Sequence, residues 1–163
     1  MSIEDDIALL ESVPMLQLLG RDALRVIAIS ADARPLAQGE VLFREGQFAE
    51  AAYVVASGIV SVGRENAALA KRAGQTVRVG RGGLLGEMAL LTESKRPATA
   101  TAVEPAIVLR IPRVIFMRTI ESYPDAAARL MQAVAARVDH TLAELDGVRR
   151  HLEAIAPAPR RPR

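Results

Sequence analysis

From Ala33 to Pro112 the chain is a series of short apolar runs, several of them cut off by glycines: VLF before Gly46, AAYVVAS before Gly58, IVSV before Gly63 and TVRV before Gly80. Runs this short cannot make a stable helix, and several of them alternate as half-buried strands do. Gly39, Gly46, Gly58, Gly74 and Gly80 fall where tight turns need a positive φ. Many short strands with frequent turns predict a small β-roll or jelly-roll barrel. The stretch RENAALAKR, Arg64 to Arg72, is less regular and reads as a long hairpin connection.

The flanks have a different texture. Ile7 to Leu10 and Leu16 to Ile29 show helical spacing, interrupted at Pro14. Residues 1–32 therefore read as a helical lead-in to a β-roll over 33–112. After Pro112 the pattern is helical again, with a short helix over Val114 to Ser122 and a second one opened by Pro124. These C-terminal helices span 113–156, and Pro157 and Pro159 stop the second. The fold class is α+β, mainly β.

The second helix carries a ladder at Val134, Val138, Thr141, Leu145, Val148, Leu152 and Ile155, spaced 4-3-4-3-4-3. That is the a/d pattern of a two-stranded coiled coil. Its first half, to about Val138, is able to dock on the chain's own barrel. Its second half extends past so small a barrel, since a helix rises about 1.5 Å per residue. A parallel homodimer through this helix is the expectation. The tail 157–163 is rich in Pro and Arg and reads as solvated and disordered.

With 163 residues there is room for one domain with a real core. Half of the composition is hydrophobic but only 3% is aromatic, with no Trp, so that core must be aliphatic. Cysteine is absent, which excludes disulfides, thiolate metal sites and cysteine nucleophiles. The start, MSIEDD, is acidic where a signal peptide is basic, and no run approaches a membrane span. A soluble cytoplasmic protein without a membrane partner is the default expectation. The net charge of +2 predicts no more than weak, non-specific attraction to DNA.

Chemistry concentrates in LLGEMALLTESKRPATATA, Leu84 to Ala102. A glycine leads into a short helical segment with one carboxylate, Glu87, and a polar turn leads to Arg96. Gly86 lets the backbone approach a ligand closely. Backbone N–H groups at the start of the segment favour an anion. The Arg96 guanidinium matches two phosphate oxygens. Glu87 cannot usefully face a phosphate, but it can accept a hydrogen bond from a sugar hydroxyl. Met88, Ala89, Leu90 and Leu91 are apolar and are expected to anchor the segment on the barrel. Taken singly, Glu87 reads equally as a solvated first-turn acid, and Arg96 as half of a surface ion pair with Glu93 or Glu87.

The pattern G-E-x-A-L-L, four residues, then R-x-A-T closely resembles the phosphate-binding cassette of cyclic nucleotide-binding domains. GEVLFREGQ (Gly39 to Gln47) and YVVASGIVSV (Tyr53 to Val62) resemble the early strands of that family's barrel. The resemblance implies an eight-stranded β-roll with the cassette inside, Glu87 on the ribose 2′-hydroxyl and Arg96 on the cyclic phosphate. Leu85, Gly86, Met88, Ala89, Pro97 and Ala98 complete the implied pocket, with backbone N–H groups near Ala89 assisting. Val77 and Val79 are implied wall contacts for the base. Arg137 and Thr141, one helical turn apart, match the positions from which the family's C-terminal helix closes over the base.

Departures from the pattern matter. Pro97 stands where relatives often carry Ala, Ser or Thr, so it has neither N–H nor hydroxyl. Leu85 replaces a frequent aromatic. The threonine that supports guanine recognition is missing, so the implied ligand is cyclic AMP in preference to cyclic GMP. No winged helix-turn-helix follows the long helix in this sequence, so the expectation is a sensor that signals to a separate effector through movement of the C-terminal helix, without specific DNA binding. A cupin-type enzyme needs barrel-borne histidines for a metal, and His140 and His151 both lie on the long helix. No catalytic residue, metal or cofactor is therefore expected. The alternative is a degenerate fold retained as a protein-interaction module.

Overall fold

In a computed structural model that describes residues 2–64 and 76–136, the chain begins with a reciprocally capped helix, α1 (Ile3–Glu11). The Ser2 side chain accepts from the Asp5 N–H at 3.2 Å, and the Asp5 carboxylate accepts from the Ser2 N–H at 3.1 Å. Pro14 then starts the short α2 (Pro14–Gln17). The single helical stretch expected over 16–29 is divided, because Gly20 takes φ 84° and resets the chain for α3 (Arg21–Ser30).

Ten strands follow among the described residues: β1 (Asp32–Leu36), β2 (Val41–Phe43), β3 (Phe48–Ala49), β4 (Ala51–Ser57), β5 (Val60–Gly63), β6 (Val77–Val79), β7 (Leu84–Leu85), β8 (Ser94–Lys95), β9 (Thr99–Ala102) and β10 (Ala106–Pro112). The helix α4 (Met88–Leu91) lies between β7 and β8. After β10 come α5 (Arg113–Ser122) and a helix α6 that starts at 124, described as far as 136. None of the described helices is long and apolar enough to cross a membrane.

The sheets are antiparallel: β1-β10-β4-β7, β2-β9-β5-β6 and the two-residue ribbon β3-β8. One closed roll of eight strands was the expectation. The described residues instead give ten strands in three sheets that are not closed into a barrel. Register shifts at Val41/Phe43 and at Ile107/Val108 interrupt the ladders, and β3 and β8 pair over two residues only. The two large sheets are held together by side chains.

The turn glycines follow the sequence in part. Gly39, Gly46 and Gly58 have positive φ, whereas Gly80 does not and Gly82 does, at 81°. Gly74 lies outside the described residues. Gly58 has a second reason to lack a side chain, since a Cβ there would collide with the Pro105 carbonyl and with Ala106.

Strand β4 separates two cores. Ala52, Val54 and Ala56 face a helix-side core with Ile7, Leu10, Leu24, Ile27, Leu109, Ile111 and Phe116. Tyr53 and Val55 face the interior between the two sheets, with Leu36, Phe43, Val60, Leu85, Ala100 and Val108. The period-2 alternation of a strand thus serves both sides, which is why β4 reads as a continuous apolar run. Val134, the first rung of the heptad ladder, packs against the helix-side core. The later rungs, with Arg137 and Thr141, lie outside the described residues.

Candidate ligand-binding site

Strand β7 pairs with the middle of β4, Leu85 opposite Tyr53 and Leu84 opposite Val54. The chain then turns at Gly86, with φ 71°, and enters α4 through Glu87. The turn is closed by Ala89 N–H donating to the Gly86 carbonyl at 3.0 Å and Leu90 N–H donating to the Glu87 carbonyl at 3.1 Å. Of the backbone N–H groups near Ala89 that the resemblance implied as ligand donors, that of Ala89 itself is thus used inside the turn. Ala89 and Leu90 are buried, and Leu90 belongs to the helix-side core. Met88, expected to help anchor the segment, is 53% exposed because a four-residue helix has room for only one buried face. Glu87 is half-buried.

Arg96 returns to the same turn from the other side. Its backbone is fixed at the β2–β3 connection, with Arg96 N–H donating to Gln47 O at 2.7 Å and Gly46 N–H donating to Arg96 O at 2.8 Å. Its side chain points into the interior and is only 5% exposed. The guanidinium carbon lies 4.1 Å from the centre of the Phe43 ring and 5.8 Å from that of Tyr53, and the two rings stack at 6.0 Å. Such ring faces attract a cation by their quadrupole. Nη2 donates to the Ala51 carbonyl at 2.6 Å. Nη1 is buried without a hydrogen-bond partner among the described residues.

That Nη1 lies against Gly86, where any Cβ would overlap it. Gly86 therefore meets two demands at once, a left-handed backbone and the passage of Arg96. Burial is the main influence pulling the Arg96 pKa below the ordinary guanidinium value; Tyr53 opposes it and Arg110 adds to it. An arginine nevertheless stays protonated in proteins. The arrangement is a buried cation with one donor nitrogen already on a carbonyl and one directed at the glycine turn. It is not half of a surface ion pair, because its hydrogen-bond partner is a main-chain carbonyl.

The other candidate residues are spread around this centre. Leu85 is buried in the interior core. Pro97 is exposed and Ala98 half-buried in the bend that leads to β9. Val79 pairs with Val60 and packs on the interior core, whereas Val77, opposite Val62, is 57% exposed. Arg137 and Thr141 lie outside the described residues.

Sequence reasoning missed Phe43, Tyr53 and the Ala51 carbonyl as partners of Arg96. A signal existed: in a chain with only three Phe and two Tyr, these two aromatics occupy strands on either side of the cassette's interior. It also missed Arg113, which donates to the carbonyls of Ala49, Ala89 and Thr92.

A family model described as a cyclic nucleotide-binding domain matches residues 33–123. The chain is 36% identical over 109 residues to the cyclic AMP receptor protein of Thermus thermophilus, covering 67% of this chain and 50% of that protein. It is 32% identical over 102 residues to the lysophospholipase nte1 of Neurospora crassa, covering 61% of this chain and 6% of that protein. The chain thus spans half or less of the length of these relatives. Among solved structures, a cyclic nucleotide-binding-like protein from Brucella abortus superposes with a TM-score of 0.61 at 36% identity, over 72% of this chain and 98% of that one.

Proposed function

The chain belongs to the cyclic nucleotide-binding domain family, and from that premise we propose that it is a sensor for cyclic AMP. The observation that carries the proposal is the Arg96 guanidinium: nine-tenths buried, stacked on aromatic rings, with Nη1 unpartnered among the described residues and aimed at the Gly86 turn. A buried cation of this kind suits a ligand with a single negative charge, such as a cyclic phosphodiester. The half-buried Glu87 is the acceptor for the ribose hydroxyl. The base lies toward Val79 and the edge of β6, with Arg137 and Thr141 closing from the C-terminal helix. Output passes through that helix, and its ladder supports a homodimer in which Val134 stays on its own protomer's core. Light scattering at tens of micromolar reads the dimer directly, and a monomer there refutes it.

A second reading has specific support. Pro97 has no N–H, and the Ala89 N–H is already bonded to Gly86 O. Position 97 thus offers no phosphate donor and the Ala89 N–H is already in use, as in a degenerate domain kept for protein interaction. Titration calorimetry with cyclic AMP, cyclic GMP and 5′-AMP separates the readings. The sensor reading expects one cyclic AMP per chain, bound more tightly than the other two. At about 100 times the dissociation constant, ligand then adds about 2.7 kcal/mol of stability. No heat and no stabilisation at millimolar nucleotide favours the interaction module.

A further inference from the structure

We propose that Arg113 is a positioning residue that ties the cassette to the helices after it, so that a change at the cassette turn is felt at the start of α5. Arg113 is the first residue of α5, and its own N–H donates to the Glu50 carbonyl at 2.8 Å. Its Nη1 faces three main-chain carbonyls: Ala49 O at 3.0 Å, Thr92 O at 3.3 Å and Ala89 O at 3.5 Å. Ala89 is the second residue of the four-residue α4 and Thr92 its C-cap, and the last four carbonyls of a helix have no partner within it. Ala49 lies on β3, which pairs with β8, the strand that leads into Arg96. One side chain at the first turn of α5 thus joins the α4 arm of the cassette to β3, the strand that pairs with the arm leading into Arg96.

The count of hydrogens makes this more than a brace. A guanidinium Nη carries two N–H bonds, so Nη1 cannot satisfy three carbonyls equally. The lengths reflect this, with the firmest contact on the ribbon and the two longer ones shared by α4. A small displacement of α4 changes which carbonyls are held. Because α4 has only four residues, such a displacement breaks little internal structure. The ion pair from Nη2 to Glu93, at 3.9 Å with Glu93 92% exposed, adds little. The guanidinium also borders a cleft of about 450 Å³ lined by Phe48, Glu50, Glu93 and Lys95, which leaves it room to move.

The transmission of ligand occupancy rests on the sensor reading above, whereas the latch itself does not. Hydrogen exchange on the full chain tests both, using wild type, Arg113→Met and Arg113→Lys, each with and without cyclic AMP. Without ligand, Arg113→Met is expected to exchange about tenfold faster in residues 87–95 and 113–117 together, while β4 and β10 keep their protection. The lysine variant falls between, since an ammonium can still hold a carbonyl. With ligand, wild type gains protection over 86–96 and changes over 113–122; Arg113→Met keeps the first response and loses the second. Unchanged ligand-free exchange, a loss of protection spread over the whole fold, or a retained response in 113–122 each overturns the latch. If wild type ignores cyclic AMP, the sensor reading fails, and the ligand-free comparison alone decides the latch. Should Arg113→Met not fold, Arg113→Lys carries the same comparisons with a smaller expected change.

Discussion

The two faces of β4 solve different problems. On the helix side, Ala52, Val54 and Ala56 meet an aliphatic layer closed by Phe116, where the buried Thr119 hydroxyl bonds the Ile115 carbonyl at 2.8 Å within its own helix and Asp6 of α1 keeps one buried carboxylate oxygen unpartnered among the described residues. On the interior side, Tyr53 and Val55 share their space with a guanidinium that is buried just as deeply but only half satisfied. Burying a charge with an unpaired donor opposes folding. One strand therefore carries a face that supplies stability and a face that spends some of it on a charged group. The contrast explains why the site can sit deep inside a domain this small: the helix-side core holds the sheet in place.

The largest expected effect tests the supplying face. Phe116→Ala should cost about 3–5 kcal/mol in denaturant unfolding, because it empties a fully buried site among packed aliphatics. Wherever the variant remains folded, its cyclic AMP affinity should match wild type. A loss below about 1 kcal/mol would mean that the helix layer does not support the sheet.

Arg96→Leu tests the other face and should separate binding from stability. Removing the cation should weaken cyclic AMP by about 2–5 kcal/mol, or roughly 30- to several-thousand-fold. The ligand-free melting temperature should hardly move, since leucine removes a costly buried charge while leaving the Ala51 carbonyl without its donor. A variant stabilised by cyclic AMP as much as wild type would show that Arg96 is not the phosphate clamp.

Gly86→Ala should have the smallest effect, a destabilisation of about 1–3 kcal/mol from the left-handed backbone and the displaced Arg96. It should be less harmful in an Arg96→Leu background, where the obstructing nitrogen is gone. A double-mutant cycle reads this directly, and strict additivity would mean that the two residues do not meet.

Much of this was legible along the chain. AAYVVAS before Gly58 marks β4 from its first to its last residue, VLF marks β2, and TVRV contains β6 after its threonine. Pro14, Pro112 and Pro124 all fall at helix starts. The family resemblance placed Gly86 and Arg96 in one cassette, and in the structure the Arg96 guanidinium lies against Gly86. Less legible were the division of the strands into three sheets and the true turn glycine, Gly82 in place of Gly80. Both depend on which ladders find partners, and short strands gain too little locally to decide it.

What the sequence determined by itself is what local physics controls: strand length from apolar runs, turns from glycines, helix starts from prolines and from the Ser2 cap, and the residue types that can meet an anion. What only the tertiary structure decided is where the cation's atoms point. Phe43, Tyr53 and Ala51 reach Arg96 from distant parts of the chain, and Arg113 reaches back to Ala49, Ala89 and Thr92. Those contacts come from side chains converging between two sheets and from carbonyls left over at the end of a very short helix. No periodicity or spacing encodes them, because each partner's own sequence neighbourhood is satisfied without the others.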